Sequence, residues 1–199
     1  MKIGIFGGSF NPPHKIHKEI GIYLVNRKYL DKVIYVPTGD KYEKQDLISS
    51  NSRIEMLKIM IKNNNYLEVS DYEIKNNLVY TYQTLDYFKN KYKDSEIYFI
   101  CGSDNLREFK TWKKFNYILN NYRLIVFKRN DDNIEKILEN LNIKNIIVID
   151  KVFGNLSSTY IRKELEEGKN VLNLVDNEVV EYIENNKLYN FSRKKVVVI

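Results

Sequence analysis

The chain has two histidines, His14 and His17, and they stand three residues apart, directly after a Gly-Gly pair and a Pro-Pro pair. In an α-helix, residues at i and i+3 lie on nearly the same face, so both imidazoles would point the same way. A metal site, a phosphate site and an inert pair are the three alternatives. A zinc site needs about four ligands, and the chain has no third histidine and only one cysteine, Cys101. The pair therefore favours a phosphate site in which the imidazoles donate hydrogen bonds.

The residues before the histidines also favour phosphate. The apolar stretch 2–6 runs into Gly7 and Gly8, and residues 14–30 have the apolar spacing of an amphipathic helix. Glycines let the backbone approach a ligand closely and adopt positive φ. The first turn of a helix offers unpaired N–H groups and a positive dipole end to an anion. The stretch matches neither GxGxxG nor GxxxxGK[ST], so we predict a phosphate-binding turn of another kind.

A second segment, LSSTYIR at residues 156–162, has similar properties. Ser157 or Ser158 suits the N-cap of a helix, and Gly168 suits its end. Ser158 and Arg162, at i and i+4, then share a face. A helix N-terminus, hydroxyl groups and a guanidinium fork together predict a second phosphate grip. The alternative for this segment alone is a capped helix with a solvated arginine.

Apolar stretches alternate with segments of helical period along the whole chain. The predicted strands are residues 2–6, 32–37, 67–74, 96–102, 123–129 and 145–150, and the predicted helices are residues 14–30, 52–64, 81–92, 136–141, 158–168 and 177–186. This alternation predicts an α/β, Rossmann-like parallel sheet with helices on both faces. We expect one domain over residues 1–188 with a small helical C-terminal part. Residues 189–199 are predicted to be a tail that docks as a strand or leads into a further segment.

Composition restricts the classes of partner. The net charge of +6 permits an anionic ligand, but lysines alternate with acids instead of forming one basic stripe, so no nucleic-acid partner is expected. No apolar run approaches the roughly 20 residues that span a bilayer, and the N-terminus lacks a signal-peptide pattern. We therefore expect a cytoplasmic protein without a membrane partner. Cys101, inside the apolar run 96–102, is predicted to be a buried strand residue.

The opening pattern G-x-F-G-G-x-F-x-P-x-H-x-x-H, residues 4–17, resembles the N-terminal motif of the HxGH nucleotidyltransferase superfamily. Its GGSFNPPH form is most similar to bacterial nicotinate-nucleotide adenylyltransferases, and residues 156–162 resemble the ISSTxIR signature of that family. The resemblance extends from residue 1 to about residue 188. It implies transfer of AMP from ATP to nicotinate mononucleotide, giving the deamido-NAD dinucleotide and pyrophosphate in NAD biosynthesis. It also implies Mg²⁺ that accompanies ATP, with no metal ligands from the protein.

The resemblance implies roles for individual residues. The implied catalytic residues are His14, His17 and Arg162. The implied ATP-binding residues are Gly7, Gly8, Ser9, Phe10, His17, Gly102, Asp104, Ser157, Ser158, Thr159 and Arg162. The implied pyridine-nucleotide-binding residues are Lys41, Tyr80, Thr81, Trp112 and Arg129.

Alternatives to this function stay open. A sibling enzyme would use nicotinamide mononucleotide or phosphopantetheine as the acceptor. A non-catalytic nucleotide-binding module is a further alternative, and Ile16, Val79 and Gln83 would favour it because they differ from the residues of the family motifs. The expected partners are ATP and a pyridine mononucleotide, and a homo-oligomer is one possible assembly of the chain.

Overall fold

The structure is a computed structural model that describes residues 1–40, 46–77, 80–129, 132–141 and 145–191. The strands within these residues are β1 Lys2–Gly8, β2 Lys32–Pro37, β3 Leu67–Val69, β4 Glu96–Gly102, β5 Arg123–Phe127 and β6 Ile146–Ile149. The helices are α1 Lys15–Asn26, α2 Ser50–Ile61, α3 Tyr72–Asn76, α4 Thr81–Lys91, α5 Ser103–Arg107, α6 Phe115–Asn121, α7 Ile134–Leu141, α8 Ser158–Glu166 and α9 Asn177–Asn185. Short 3-10 turns lie at Phe109–Thr111 and Leu188–Asn190.

The described strands form one parallel sheet in the order β3-β2-β1-β4-β5-β6. This order is that of doubly wound α/β folds, and it confirms the predicted fold class. β1 and β4 are neighbours in the sheet, and the connections from these two strands run in opposite directions. The crevice at the carboxyl ends of β1 and β4 is therefore the place where such a sheet binds ligands.

Each face of the sheet is covered by its own apolar core. Helices α1, α2, α8 and α9 pack on the face that contains Phe6, whereas α4, α6 and α7 pack on the face that contains Ile5. Cys101 lies in the second core, as predicted for a buried strand residue, and burial raises the pKa of its thiol. The thiol is therefore inert at neutral pH.

The first helix approaches the sheet closely because Gly21 has no side chain. The Tyr35 hydroxyl lies where a Cβ on Gly21 would be. That hydroxyl donates a hydrogen bond of 2.8 Å to the backbone oxygen of His17. Tyr35, on β2, thus holds the first turn of α1 at a set height above the sheet.

Several predicted elements are shorter than expected, and one prediction was wrong. The strand predicted over residues 67–74 ends at Val69, and Tyr72–Asn76 forms α3, because Ser70 Oγ accepts the Tyr72 N–H at 3.3 Å and starts a helical turn. α1 ends at Asn26, ahead of Lys28 at φ +62°. α5, α6 and the turn between them were not predicted, because each covers only two turns or fewer.

The C-terminal part is helical, as predicted. Gly168 follows α8 with φ +69° and its N–H donates to the Leu165 oxygen at 2.9 Å, which ends the helix. The expected boundary at residue 188 falls inside the 3-10 turn Leu188–Asn190, and Phe191 is buried in the first core. Residues 192–199, the rest of the predicted tail, lie outside the described residues. None of the helices in the described ranges has the length and apolarity to cross a bilayer.

Candidate active site

A cavity of about 520 Å³ opens at the carboxyl ends of β1 and β4. Every residue assigned above to catalysis or nucleotide binding lines it except Lys41, which lies outside the described residues. Residues that were not predicted also line it, including Thr38, Glu73, Thr84, Asn105 and Lys113. The cavity is within the range of about 300–1,000 Å³ that is typical of small-molecule sites.

The turn after β1 differs from its prediction in one respect. Gly7 and Gly8 belong to the strand, and the residue with positive φ is Phe10, at +46°. A Cβ on Gly8 would lie 3.2 Å from the Phe10 ring, so the glycine makes room for that ring. The Phe10 side chain is buried beneath the turn, and it lies 5.0 Å from the His17 ring between centroids. Gly8 therefore allows the packing that supports the histidines.

His14 and His17 stack on each other at the start of α1, with ring centroids 3.6 Å apart. The His17 Nδ1 accepts a hydrogen bond of 3.2 Å from the His14 backbone N–H. A neutral imidazole that accepts at Nδ1 carries its proton at Nε2. His17 therefore presents an Nε2–H donor, and its ring lines the cavity.

Both histidines are neutral at physiological pH. Burial, and then the positive charge of Arg129, lower the pKa of His14 to about 3. Burial, then His14 and Arg129, lower the pKa of His17 well below its usual value. The pair therefore offers neutral N–H groups to the cavity, a charge state that the spacing of the two residues does not determine. His14 Nδ1 is buried without a hydrogen-bond partner among the described residues, and the residue lines the cavity.

The second motif binds directly to the turn after β1. Ser157 is the N-cap of α8, because its Oγ accepts the Tyr160 N–H at 3.2 Å. Ser158 Oγ donates to the Pro12 oxygen at 2.8 Å, and Arg162 Nη1 donates to the Asn11 oxygen at 3.1 Å. Ser158 and Arg162 therefore lie on one face of α8, as predicted, and this face contacts the first motif and also lines the cavity. The Ser158 hydroxyl proton is used in this contact, so α8 presents mainly N–H groups and the rest of the guanidinium to a ligand.

Asp104 and Arg129 lie together at the ends of β4 and β5. Arg129 Nη1 approaches Asp104 Oδ2 at 3.5 Å, and the Arg129 N–H donates to Ser103 Oγ at 2.8 Å. Gly102 is the last residue of β4. A Cβ at this position would collide with Asp104 Oδ1 and with the Arg129 side chain, so the glycine leaves room for both. Asp104 Oδ1 is buried and has no partner among the described residues, and the residue lines the cavity.

The other end of the cavity is aromatic. Trp112 packs edge-on against Phe99, with centroids 5.8 Å apart, and tilted against Phe109 at 4.9 Å. Tyr80 precedes α4, and Thr81 is the first residue of that helix. Trp112, Tyr80 and Thr81 line the same cavity, and an aromatic face such as the indole suits a planar ring.

Arg53 is a supporting residue that sequence reasoning missed. Its side chain is fully buried on α2, and it donates to the backbone oxygens of Ser9 at 3.1 Å, Thr38 at 2.8 Å and Ile48 at 3.2 Å. It also pairs with Asp40 at 3.1 Å. Arg53 therefore joins the loops after β1 and β2. Its only sequence signal is an arginine among the apolar residues Met56, Leu57 and Met60 that are buried on the same helix.

Glu73 was missed as well, because its segment was predicted to be a strand. Its carboxylate lines the cavity and accepts a hydrogen bond of 2.6 Å from Thr84 Oγ1. Burial raises the pKa of Glu73 to about 7, against the opposing effects of the Thr84 bond and Arg53.

Glu73 should make the folded protein less stable as the pH rises from about 4.5 to about 7. Over this range the unfolded chain releases the Glu73 proton and the folded chain retains it, so the free energy of unfolding falls. Glu73→Gln should remove this fall, a difference of about 2 kcal/mol between the ends of the range. Urea unfolding of wild type and variant at several pH values measures it. Glu55→Gln, on the exposed surface of α2, should keep the wild-type slope, and identical slopes for wild type and Glu73→Gln would contradict the assignment.

The residues that differ from the family motifs lie outside the cavity or outside the described residues. Ile16 is not among the cavity-lining residues, and its Cδ1 is 3.7 Å from where a Cβ on Gly154 would be. It faces the loop after β6, so it leaves the space beside the histidines open. Gln83 does not line the cavity either, and Val79 is not described. Within the described part of the chain, no three His, Cys, Asp or Glu side chains come together to hold a metal ion.

Comparison with known proteins adds independent information. A family model described as cytidylyltransferase-like matches residues 5–164. A probable nicotinate-nucleotide adenylyltransferase of Fusobacterium nucleatum is 42% identical over 188 residues, which cover 92% of this chain and 97% of the relative. A probable nicotinate-nucleotide adenylyltransferase of Caldicellulosiruptor bescii is 40% identical over 196 residues, which cover 95% of this chain and 99% of the relative.

A solved structure has the same fold. It is that of Plasmodium falciparum nicotinic acid mononucleotide adenylyltransferase complexed with NaAD, and it superposes with a TM-score of 0.83 over 96% of this chain and 98% of the other. The two sequences are 23% identical, so the likeness concerns the fold alone.

Proposed function

The chain belongs to the cytidylyltransferase-like family and, within it, to the nicotinate-nucleotide adenylyltransferases, and from this membership we propose that it transfers AMP from ATP to nicotinate mononucleotide. The product is the deamido-NAD dinucleotide, and pyrophosphate leaves. One observation of the structure supports this most: the two family motifs meet at one cavity, where Ser158 and Arg162 bind the turn that carries the histidines.

The reaction needs no nucleophile from the protein. An oxygen of the mononucleotide 5′-phosphate forms a bond to the α-phosphorus of ATP, and the bond between that phosphorus and the oxygen bridging to the β-phosphate breaks. The electron pair of the broken bond goes to pyrophosphate. Catalysis then consists of positioning the two phosphates and stabilising the charge that develops on their oxygens.

The histidines carry the proposed stabilisation at the α-phosphate. The His17 Nε2–H is a donor whose direction is set by the Nδ1 contact with the His14 N–H, so it needs no reorganisation when charge develops. His14, stacked on it, holds the neighbouring phosphate oxygens. The positive charge of Arg129 lies near both rings and lowers the pKa of each histidine, so both imidazoles stay neutral.

The β- and γ-phosphates are proposed to bind at the start of α8. N–H groups of its first turn, behind the N-cap Ser157, and the guanidinium of Arg162 supply the donors there. Asp104 Oδ1 would accept a hydrogen bond from the ribose. We propose that Mg²⁺ accompanies ATP as part of the substrate, where it would supply positive charge to the phosphates.

The acceptor is proposed to bind at the aromatic end. Trp112 would stack on the pyridine ring, and Tyr80 and Thr81 would contact the same nucleotide at the start of α4. Lys41, which lies outside the described residues, stays the predicted partner of the phosphate of the mononucleotide. The proposed compartment is the cytoplasm.

Pyrophosphate release with ATP tests this function. Nicotinate mononucleotide, nicotinamide mononucleotide and phosphopantetheine are offered in turn at equal concentration. We expect the highest kcat/KM with nicotinate mononucleotide. A higher value with either of the others would assign the chain to a sibling reaction, and tight ATP binding without pyrophosphate release from any acceptor would favour a binding module.

Trp112→Ala should raise the KM for nicotinate mononucleotide about tenfold, because stacking contributes about 0.5–1.5 kcal/mol beyond the apolar area that the indole covers. The KM for ATP should change less than twofold. Steady-state titration of each substrate against a fixed excess of the other measures this. Trp112→Phe, which keeps an aromatic face, should recover most of the affinity. Equal increases in both KM values would place the indole elsewhere.

A further inference from the structure

The last described turn of the chain reaches back to the turn after β1. Tyr189, in the 3-10 turn Leu188–Asn190, donates a hydrogen bond of 2.8 Å from its hydroxyl to Asn11 Oδ1, across 178 residues of sequence. Burial raises the pKa of the Tyr189 phenol, so the hydroxyl keeps its proton at neutral pH. The contact joins the far end of the described chain to the phosphate turn.

Asn11 is the centre of a small network. Its side chain is 3% exposed, and its Nδ2 donates to the Asp46 oxygen at 2.7 Å. Its backbone oxygen accepts from Arg162 Nη1 at 3.1 Å. We call the set of Tyr189, Asn11, Asp46 and Arg162 the Asn11 clamp. Each polar group of the Asn11 side chain has a partner, so its backbone oxygen is held in one place.

The position of that oxygen decides where Arg162 points. One nitrogen of the guanidinium is bound to it, and because the group is planar and rigid, its remaining N–H groups have directions set by that contact. The Arg162 side chain lines the cavity. A displaced Asn11 would therefore turn the guanidinium away from the β- and γ-phosphates.

We propose that Tyr189 is a positioning residue for ATP that acts through Asn11 on Arg162. The proposal rests on the function proposed above, because it needs a triphosphate at the Arg162 end of the cavity. It extends the set of residues that support the site beyond residue 188, to Tyr189, which does not line the cavity. Errors in placement of about 1 Å lower rates by roughly a hundredfold, and the loss of one of the supporting bonds should have part of that effect.

Tyr189→Phe in the full chain is the first test. We expect kcat to fall about tenfold and the KM for ATP to rise about fivefold, while the KM for nicotinate mononucleotide stays within twofold. A general loss of structure would reduce the active fraction without this split between the two substrates. Tyr66→Phe is the matched control, because the Tyr66 hydroxyl donates to Asn64 Oδ1 at 3.2 Å and neither residue lines the cavity. It should behave as wild type, and its melting temperature should match that of Tyr189→Phe within a few degrees.

A double-mutant comparison tests whether Tyr189 acts through Arg162. Arg162→Lys removes the planar fork, so adding Tyr189→Phe should then change the ATP parameters less than twofold. Two losses that simply multiply would overturn the proposal, as would wild-type parameters for Tyr189→Phe. Calorimetric titration of ATP, which requires no turnover, should show weaker binding in Tyr189→Phe. This measurement still decides the positioning role if wild type releases no pyrophosphate, an outcome that would refute the proposed function only.

Discussion

We expect replacement of His17 by alanine to lower kcat at least a hundredfold and to leave the KM for both substrates within about threefold. The removal of one preorganised donor to a developing oxyanion lowers rates by about 10²–10³-fold. The His17 donor fits this description, since its Nδ1 is tied to the His14 N–H and its ring is held by Phe10 and Phe6. The loss of this donor raises the energy of the transition state, in which charge develops on the α-phosphate, and it therefore lowers kcat.

The measurement is the initial rate of pyrophosphate release over a matrix of both substrates. The alanine leaves a space beside Phe10, so thermal unfolding of the variant must be recorded, and rates are compared where both proteins are folded. Lys18→Ala is the control: its ammonium pairs with Asp176 at 2.7 Å, away from the cavity, and its rate should stay within twofold of wild type. A folded His17→Ala protein with undiminished kcat would refute the assignment.

The second large effect is expected for Arg53→Met, which removes the buried guanidinium and keeps an unbranched side chain about as long as the arginine stem. The backbone oxygens of Ser9, Thr38 and Ile48 each lose this donor. Hydrogen bonds from a charged group contribute about 1.5–3 kcal/mol each, and the losses are not additive. We expect the free energy of unfolding to fall by about 3–5 kcal/mol.

Activity should fall too, because Arg53 joins the loops after β1 and β2. We expect kcat/KM to fall at least tenfold at a temperature where the variant is folded, since the turn that carries Ser9 loses one support. Urea unfolding and pyrophosphate release measure the two effects. Arg123→Met is the matched control: its side chain is 59% exposed and pairs with Glu96 at 3.4 Å, and such pairs contribute about 0–1 kcal/mol. Equal stability changes in the two variants would show that Arg53 is not the support described here.

The histidine pair and the second motif illustrate what local sequence determines. The spacing of His14 and His17 places both side chains on one face of α1. Ser157 is the N-cap that starts α8, and Arg162, five residues later, carries its guanidinium near the start of that helix. These are interactions over one helical turn, so neighbouring residues are enough to predict them. The alternation of apolar strands and helices likewise determined the α/β class.

Residues that act across the chain were not predictable in this way. Arg53 looks like an irregularity in α2 until its partners at the ends of β1 and β2 are known. Glu73 looked like a strand residue, because the turn at Ser70 depends on a single side-chain bond. Tyr189 fell beyond the expected domain boundary.

By itself, the sequence determined the residue types present at each end of the domain: two histidine donors after β1, and a helix N-terminus with an arginine at α8. That the histidines are neutral follows from their burial in the folded chain. Only the tertiary structure decided that these ends meet. The backbone oxygens of Asn11 and Pro12 accept hydrogen bonds from Arg162 and Ser158, and Tyr189 completes the Asn11 clamp by donating to Asn11 Oδ1. The physical reason is the sheet order. β1 and β4 become neighbours through pairing across about half the chain, and such pairing follows from the packing of the whole core.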